Sequence, residues 1–143
     1  MLKEIITASE KETIAVATAL AGLLPSRKII FLEGDLGMGK SVFARALIRE
    51  LSNDPDLTVP SPTFNLLQIY ETPKGPVWHY DLYRLKDPEE MVELSWDDAL
   101  SNGIILIEWP DKLEYLKPQG MTVSILPVLN SETSRHIRID DET

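Results

Sequence analysis

Two hydrophobic periods alternate along the chain. Ile14, Ala17, Ala21 and Leu24 recur at helical spacing. Ser9-x-x-Glu12 ahead of them fits a capping box, and Pro25 stops the run. Ile5-Ile6 is a short apolar start, read as an edge strand. Lys28-Ile29-Ile30-Phe31-Leu32-Glu33 is a β-rich run with the length of a buried strand. Helical spacing returns from Lys40 to Leu51, with Phe43, Ala44, Leu47, Ile48 and Leu51 on one side.

The second half is richer in breaks. Residues 53–62 hold three prolines and read as a loop. Residues 64–70 and 77–82 predict two strands joined by the turn-rich Thr72-Pro73-Lys74-Gly75-Pro76. Asp87-Pro88-Glu89-Glu90 starts a helix, with Asp87 as N-cap and proline at the first helical position. That helix breaks near Ser95, runs towards Leu100 and stops at Asn102-Gly103. Ile104-Ile105-Leu106-Ile107 predicts a buried strand that delivers Glu108 at its end. Residues 121–126 and 136–139 predict a final strand pair, and the tail from Asp140 to Thr143 is expected to fray. Strands and helices in this order give an α/β domain with a mixed sheet.

Composition narrows the class. A chain of 143 residues suggests one domain, residues 1–143, and 43% hydrophobic residues suffice for a core. Cysteine is absent, which excludes a disulfide scaffold, a thiolate zinc site, an iron–sulfur centre and a cysteine nucleophile. No run approaches the roughly 18 apolar residues of a membrane span, and the first residues lead into no signal-peptide core. The expected location is cytoplasmic. With 23 acidic against 14 basic residues the formal charge is −9, which disfavours tight autonomous binding to a polyanion.

The strongest chemical signal is Gly34-Asp35-Leu36-Gly37-Met38-Gly39-Lys40-Ser41, a full G-x-x-x-x-G-K-[ST] match. A strand pattern precedes it and a helical pattern follows, as the motif requires. Its glycines let backbone N–H groups converge on an anion, and the helix N-terminus adds a positive dipole end. Lys40 would reach the β- and γ-phosphates, and the Ser41 hydroxyl would ligate Mg²⁺. The motif in this context predicts a P-loop NTPase-like, three-layer α/β/α domain with a mixed, mostly parallel central sheet.

Glu108, after four apolar residues, stands where the second acid of a magnesium-binding phosphate-loop domain belongs. It would hold Mg²⁺ through water or polarise the attacking water. Asp81, ending Val77-Trp78-His79-Tyr80, is a second candidate from another strand. The plainer reading of either is a strand-end carboxylate capping a loop or pairing with Arg84. Thr63, in Pro60-Ser61-Pro62-Thr63, either senses the γ-phosphate in a mobile loop, as in GTPase switches, or satisfies backbone groups of a proline-rich turn. His79 reads as a strand residue hydrogen-bonded near the site, because two histidines without cysteine make a poor zinc set. Trp78 and Trp96 read as core; Trp109, next to Glu108, lies either near the nucleotide or in ordinary packing. Asp87, Glu89, Glu90 and Glu93 form a solvated acidic face or a docking surface for a basic partner.

Two absences matter. The N-K-x-D motif of guanine recognition is missing, and the six arginines do not cluster in a lid-like segment of the kind that closes over phosphates in small kinases. That favours a switch or motor over a phosphotransferase.

The strings G-D-L-G-M-G-K-S at 34–41, S-P-T-F at 61–64, H-Y-D-L-Y-R-L at 79–85 and I-E-W-P at 107–110 together resemble the TsaE (YjeE) family, in its order and over essentially the whole chain. The resemblance implies a bacterial P-loop ATPase needed for threonylcarbamoyladenosine at position 37 of ANN-decoding tRNAs. It implies ATP and Mg²⁺ as cofactors and the TsaB–TsaD heterodimer as partner, with tRNA met only indirectly through that complex and no DNA or membrane. It places Gly37, Met38, Gly39, Lys40 and Ser41 on the phosphates and Ser41 with Glu108 on Mg²⁺. Asp81 falls in the same site, and Thr63 in a switch-like loop. Glu10 and Thr13 fall where the family meets adenine, and Arg135 where a late basic residue reaches the nucleotide. The family commonly has Gly-Lys-Thr-Thr; here Val42 follows Ser41 and removes a second hydroxyl near the α-phosphate. The expected activity is ATP hydrolysis, slow alone and faster with the partner. A small-molecule kinase and a non-hydrolysing, nucleotide-gated docking module are the alternatives.

Overall fold

The computed structural model describes residues 2–62 and 64–142. Its elements are β1 (Leu2–Thr7), α1 (Glu10–Leu23), β2 (Lys28–Glu33), α2 (Lys40–Leu51), β3 (Leu67–Thr72), β4 (Gly75–Asp81), α3 (Trp96–Ser101), β5 (Ile104–Glu108), β6 (Met121–Val128) and β7 (Ser131–Asp141). Two 3-10 segments, Pro88–Leu94 and Pro110–Leu116, precede α3 and follow β5. The strands form one seven-stranded sheet in the order β1-β7-β6-β2-β5-β4-β3.

Strands β6, β2, β5 and β4 run parallel in the middle, and β1, β7 and β3 add antiparallel pairings at the edges. The mixed α/β sheet is as expected, but it is evenly divided rather than mostly parallel, with three of six pairings of each kind. For two of the three antiparallel pairings, β3–β4 and β6–β7, the reason is connection length. A few residues link β3 to β4 and β6 to β7, and so short a link can join only antiparallel strands.

Alternation along the middle strands feeds two cores. Ile30, Leu32, Val77, Ile104 and Leu106 pack with α1 and α2. Phe31, Trp78, Tyr80, Ile105 and Ile107 pack with Leu85, Met91, Trp96 and Leu113 on the opposite face. Strand β5 is buried at every residue, as a central strand covered on both faces must be. The buried state of Trp78 and Trp96 agrees with their reading as core residues.

Local expectations hold where the signal is local. Helix α2 has the expected bounds, and its five predicted core residues are all buried. Ser9 caps α1, accepting from the Glu12 N–H at 3.2 Å, while the Glu12 carboxylate accepts from Ala8 N–H rather than from the cap residue. The buried stripe of α1 is Thr13, Ala17, Leu20 and Ala21, so Ile14 faces outwards. Asp87 and Glu90 complete a capping box, and Ser95, at φ 59°, marks the expected break. Before that break the chain is 3-10 rather than α. The tail does not fray at Asp140 and Asp141: both pair within β7, and Lys28 Nζ donates to both Asp141 carboxylate oxygens at 2.9 Å. No described helix is long and apolar enough to cross a membrane.

Candidate functional site

The parallel strands set the site. In a parallel sheet the carboxyl ends of neighbouring strands open onto one edge, where ligands bind. Here β4 ends in Asp81 and β5 in Glu108, which are register partners, and Glu108 also pairs with Leu32 of β2. The loop leaving β2 therefore starts beside both acids. Gly34 is required at that start, because a Cβ there would lie 2.8 Å from the Ile125 carbonyl oxygen. Gly37 and Gly39 take φ of 82° and 101°, left-handed values that glycine adopts without strain. Gly39 is the N-cap of α2 and offers no side chain, so the first-turn N–H groups of the helix are left for an anion.

A cleft of about 520 Å³ gathers Leu36, Gly37, Gly39, Lys40, Ser41, Val42, Asp81 and Glu108, together with Ser61, Tyr83, Arg84 and Trp109. Lys40 is 6% exposed, and its Nζ has no hydrogen-bond partner among the described residues. It lies 3.7 Å from the centroid of the Trp109 ring. Burial lowers its pKa, opposed by the charges of Glu108, Asp81, Asp35 and Asp111. Trp109 itself is held at φ 59°, which turns the chain into Pro110–Leu116. A buried ammonium without acceptors is costly on its own, so the arrangement suits an incoming anion.

Both acids are anchored. Asp81 accepts from the Tyr83 N–H at 3.1 Å and from the Ser61 hydroxyl at 3.4 Å. Burial raises its pKa and the neighbouring Glu108 adds to this, against the Tyr83 hydrogen bond. Glu108 bonds His79 Nε2 at 2.8 Å through Oε2, in a pair almost wholly buried. Arg84 is not drawn to Asp81; its guanidinium lies 4.6 Å from the Phe64 ring centroid.

The remaining sequence candidates divide. Glu10, Thr13 and Arg135 meet Met38, Gly39 and Val42 in an adjoining groove of about 180 Å³, so three distant stretches do converge beside the phosphate loop. Arg135 there donates from Nε to the Met38 carbonyl at 3.0 Å, bracing the loop, and from Nη1 to Glu132 and Ser134 carbonyls. Gly34 and Asp35 line a neighbouring cavity of about 370 Å³, which shares Lys40 and Trp109 with the cleft. Thr63 lies outside the described residues. The sequence offers Arg84 only as a pairing partner of the acids and gives Ser61 and Tyr83 no task, yet all three line the cleft. Their signal was adjacency to Thr63 and Asp81 within the recognised strings. His79 carried a sharper one: two residues before Asp81 on a strand, it must share that acid's face.

The donor set fits a magnesium ion held with a nucleotide. Among the described residues no group of three or more His, Asp or Glu side chains could hold a metal alone. One hydroxyl and one or two carboxylates suit Mg²⁺, which keeps waters and takes substrate phosphate oxygens.

The family model for "Threonylcarbamoyl adenosine biosynthesis protein TsaE" matches residues 7–137. The chain belongs to the TsaE family. This is a family of P-loop ATPases, and it places the chain in tRNA threonylcarbamoyladenosine biosynthesis. The tRNA threonylcarbamoyladenosine biosynthesis protein TsaE of Rickettsia bellii (strain RML369-C) is 43% identical over 124 residues, covering 87% of this chain and 85% of that one. The TsaE protein of Aquifex aeolicus (strain VF5) is 38% identical over 139 residues, 97% of this chain and 96% of that one. The crystal structure of Bacillus subtilus YdiB is similar at a TM-score of 0.76 and 25% identity, covering all of this chain and 87% of that one. The TsaE assignment thus embraces both the phosphate loop and the strand-end acids.

Proposed function

We propose that the chain is a single Mg²⁺-dependent ATPase domain, residues 1–143. In this reading it hydrolyses ATP in the cytoplasm and acts as a switch on the TsaB–TsaD heterodimer during threonylcarbamoyladenosine formation at position 37 of ANN-decoding tRNAs. The observation that carries this reading is the meeting, in one cleft, of the Lys40 ammonium without a hydrogen-bond partner, the glycine loop and the two strand-end carboxylates.

Each residue then has a task. The backbone N–H groups of the loop and of the α2 N-terminus bind the phosphate oxygens. Lys40 leaves the Trp109 ring for the β- and γ-phosphates and stabilises the charge that grows there. Ser41, with Glu108 or Asp81 behind it, would hold Mg²⁺, which when bound neutralises phosphate charge. The other function of the acid pair is to orient the attacking water, a task open to Glu108 or Asp81. Glu10, Thr13 and Arg135 border the groove proposed for the adenine end. The loop 53–63, which carries Thr63 and brings Ser61 to Asp81, is the segment proposed to change on hydrolysis.

The test is ATP hydrolysis by the purified chain with Mg²⁺, with and without TsaB–TsaD. Slow turnover alone and faster turnover with the partner are expected, both falling at least about a hundredfold in Glu108→Ala. No stimulation would return the role to a kinase, recognised by a phosphorylated metabolite, or to a docking module, recognised by ATP binding without turnover.

A further inference from the structure

Lys40 raises a question its own surroundings answer. A buried ammonium close to buried carboxylates gains most by closing on one of them. Glu108 and Asp81 both exert their charge on Lys40, yet its Nζ has no hydrogen-bond partner among the described residues and rests on the Trp109 ring. The carboxylates are held by other donors. Asp81 has the Tyr83 N–H and the Ser61 hydroxyl. Glu108 has His79, whose Nε2–H donates to Oε2 at 2.8 Å; a carboxylate can only accept. Strand register makes this reach possible: His79 and Asp81 share one face of β4, and Glu108 is the partner of Asp81 on β5.

Resting on the nucleotide-binding reading above, we infer that His79 is a positioning residue that ties Glu108 to β4 and thereby keeps the Lys40 ammonium open for the phosphates of a nucleotide. Without His79, Glu108 is a buried anion lacking its donor, and Lys40 is the cation at hand. Their closure would occupy both the phosphate-binding lysine and the acid.

Calorimetric titration of the full chain with ADP, in EDTA so that no metal contributes, tests this by affinity rather than turnover. His79→Phe fills the volume without a donor and is expected to weaken ADP binding on the order of tenfold. His79→Gln, whose amide N–H can replace the donor, is expected to stay within about threefold of the wild type. The deciding variant is His79→Phe with Glu108→Gln: removing the captor's charge should return affinity to that of Glu108→Gln alone. Wild-type affinity in His79→Phe overturns the inference, and so does a loss that Glu108→Gln leaves unrelieved, since that is a merely structural role. If His79→Phe does not fold, His79→Asn, too short to reach Glu108, takes its place with the same expectations. Absence of ADP binding by the wild-type chain overturns the nucleotide reading itself, and this inference with it.

Discussion

The two faces of the sheet treat buried polar atoms in opposite ways. On the face covered by α3 and the 3-10 segments, polar tips are satisfied by backbone. Trp78 Nε1 donates to the Asn102 carbonyl and the Tyr80 hydroxyl to the Leu94 carbonyl, each at 2.7 Å. Tyr80 also meets Trp96 edge to face, with ring centroids 5.7 Å apart. The face covered by α1 and α2 holds Thr7, Thr13, Lys40, His79, Asp81 and Glu108, which, aromatic residues aside, are the buried polar or charged side chains among the described residues. The buried side-chain atoms without a partner, Lys40 Nζ, Ser52 Oγ, Tyr70 OH and His79 Nδ1, are on that face too. One step along a strand separates the two regimes: Tyr80 lies between His79 and Asp81, and Ile107 precedes Glu108. Satisfied polar atoms lock a packing arrangement, whereas a buried cation without an acceptor leaves a place for a ligand.

Substitutions on each face can break this division. The largest effect is expected from Lys40→Ala, which removes the cation that awaits an anion. ATP affinity measured by calorimetry should fall at least about a hundredfold while the far-UV circular dichroism is retained. A loss below about threefold would sever the link between the open cation and ligand binding.

Tyr80→Phe probes the other face. It deletes one hydrogen bond and leaves the Leu94 carbonyl without that donor, a cost of about 1 kcal/mol, or a thermal midpoint lower by about 2–4 °C. Nucleotide affinity should not move. If it does, the faces are coupled.

Asp81→Asn gives the smallest effect and sharpens the contrast by its sign. Burial, with Glu108 beside it, holds the Asp81 carboxyl above the ordinary value of 3.8. A raised folded-state pKa contributes stability below the unfolded value, and that contribution is lost as pH rises through the folded value. At pH 7 the ionised Asp81 therefore costs stability, so Asp81→Asn should raise the midpoint by about 1–2 °C in EDTA. The gain should shrink as the melts are taken down towards pH 4. Hydrolysis should fall in the same variant, the usual exchange between stability and a working site.

Local signals were the legible ones. Strand β2, the glycine loop and helix α2 could be read almost to the residue, because period, glycine placement and motif spacing are all contained in one short stretch. The Pro110–Leu116 segment was not readable: its start depends on Trp109 adopting a left-handed conformation that nothing in I-E-W-P announces. Ile14 shares the helical spacing of Ala17 and Ala21 yet lies outside the buried stripe of α1, since a helix of small apolar residues leaves that stripe to be chosen by what packs on it. Asp140 and Asp141 were expected to fray because their neighbours, Leu2 and Met121, lie far away in sequence.

The sequence by itself determined that a strand, a phosphate loop and a helix follow one another, and that two further strands end in acids. It also carried the resemblance that the family match bears out. Only the tertiary structure decided that β4 and β5 lie side by side in register, so that Asp81 and Glu108 become neighbours and His79 reaches across to Glu108. It alone decided that Trp109 supplies the surface on which Lys40 rests. Dihedral preferences and hydrophobic periods act over a few residues, whereas strand order and the environment of a buried charge are set by contacts between segments that the chain brings together only on folding.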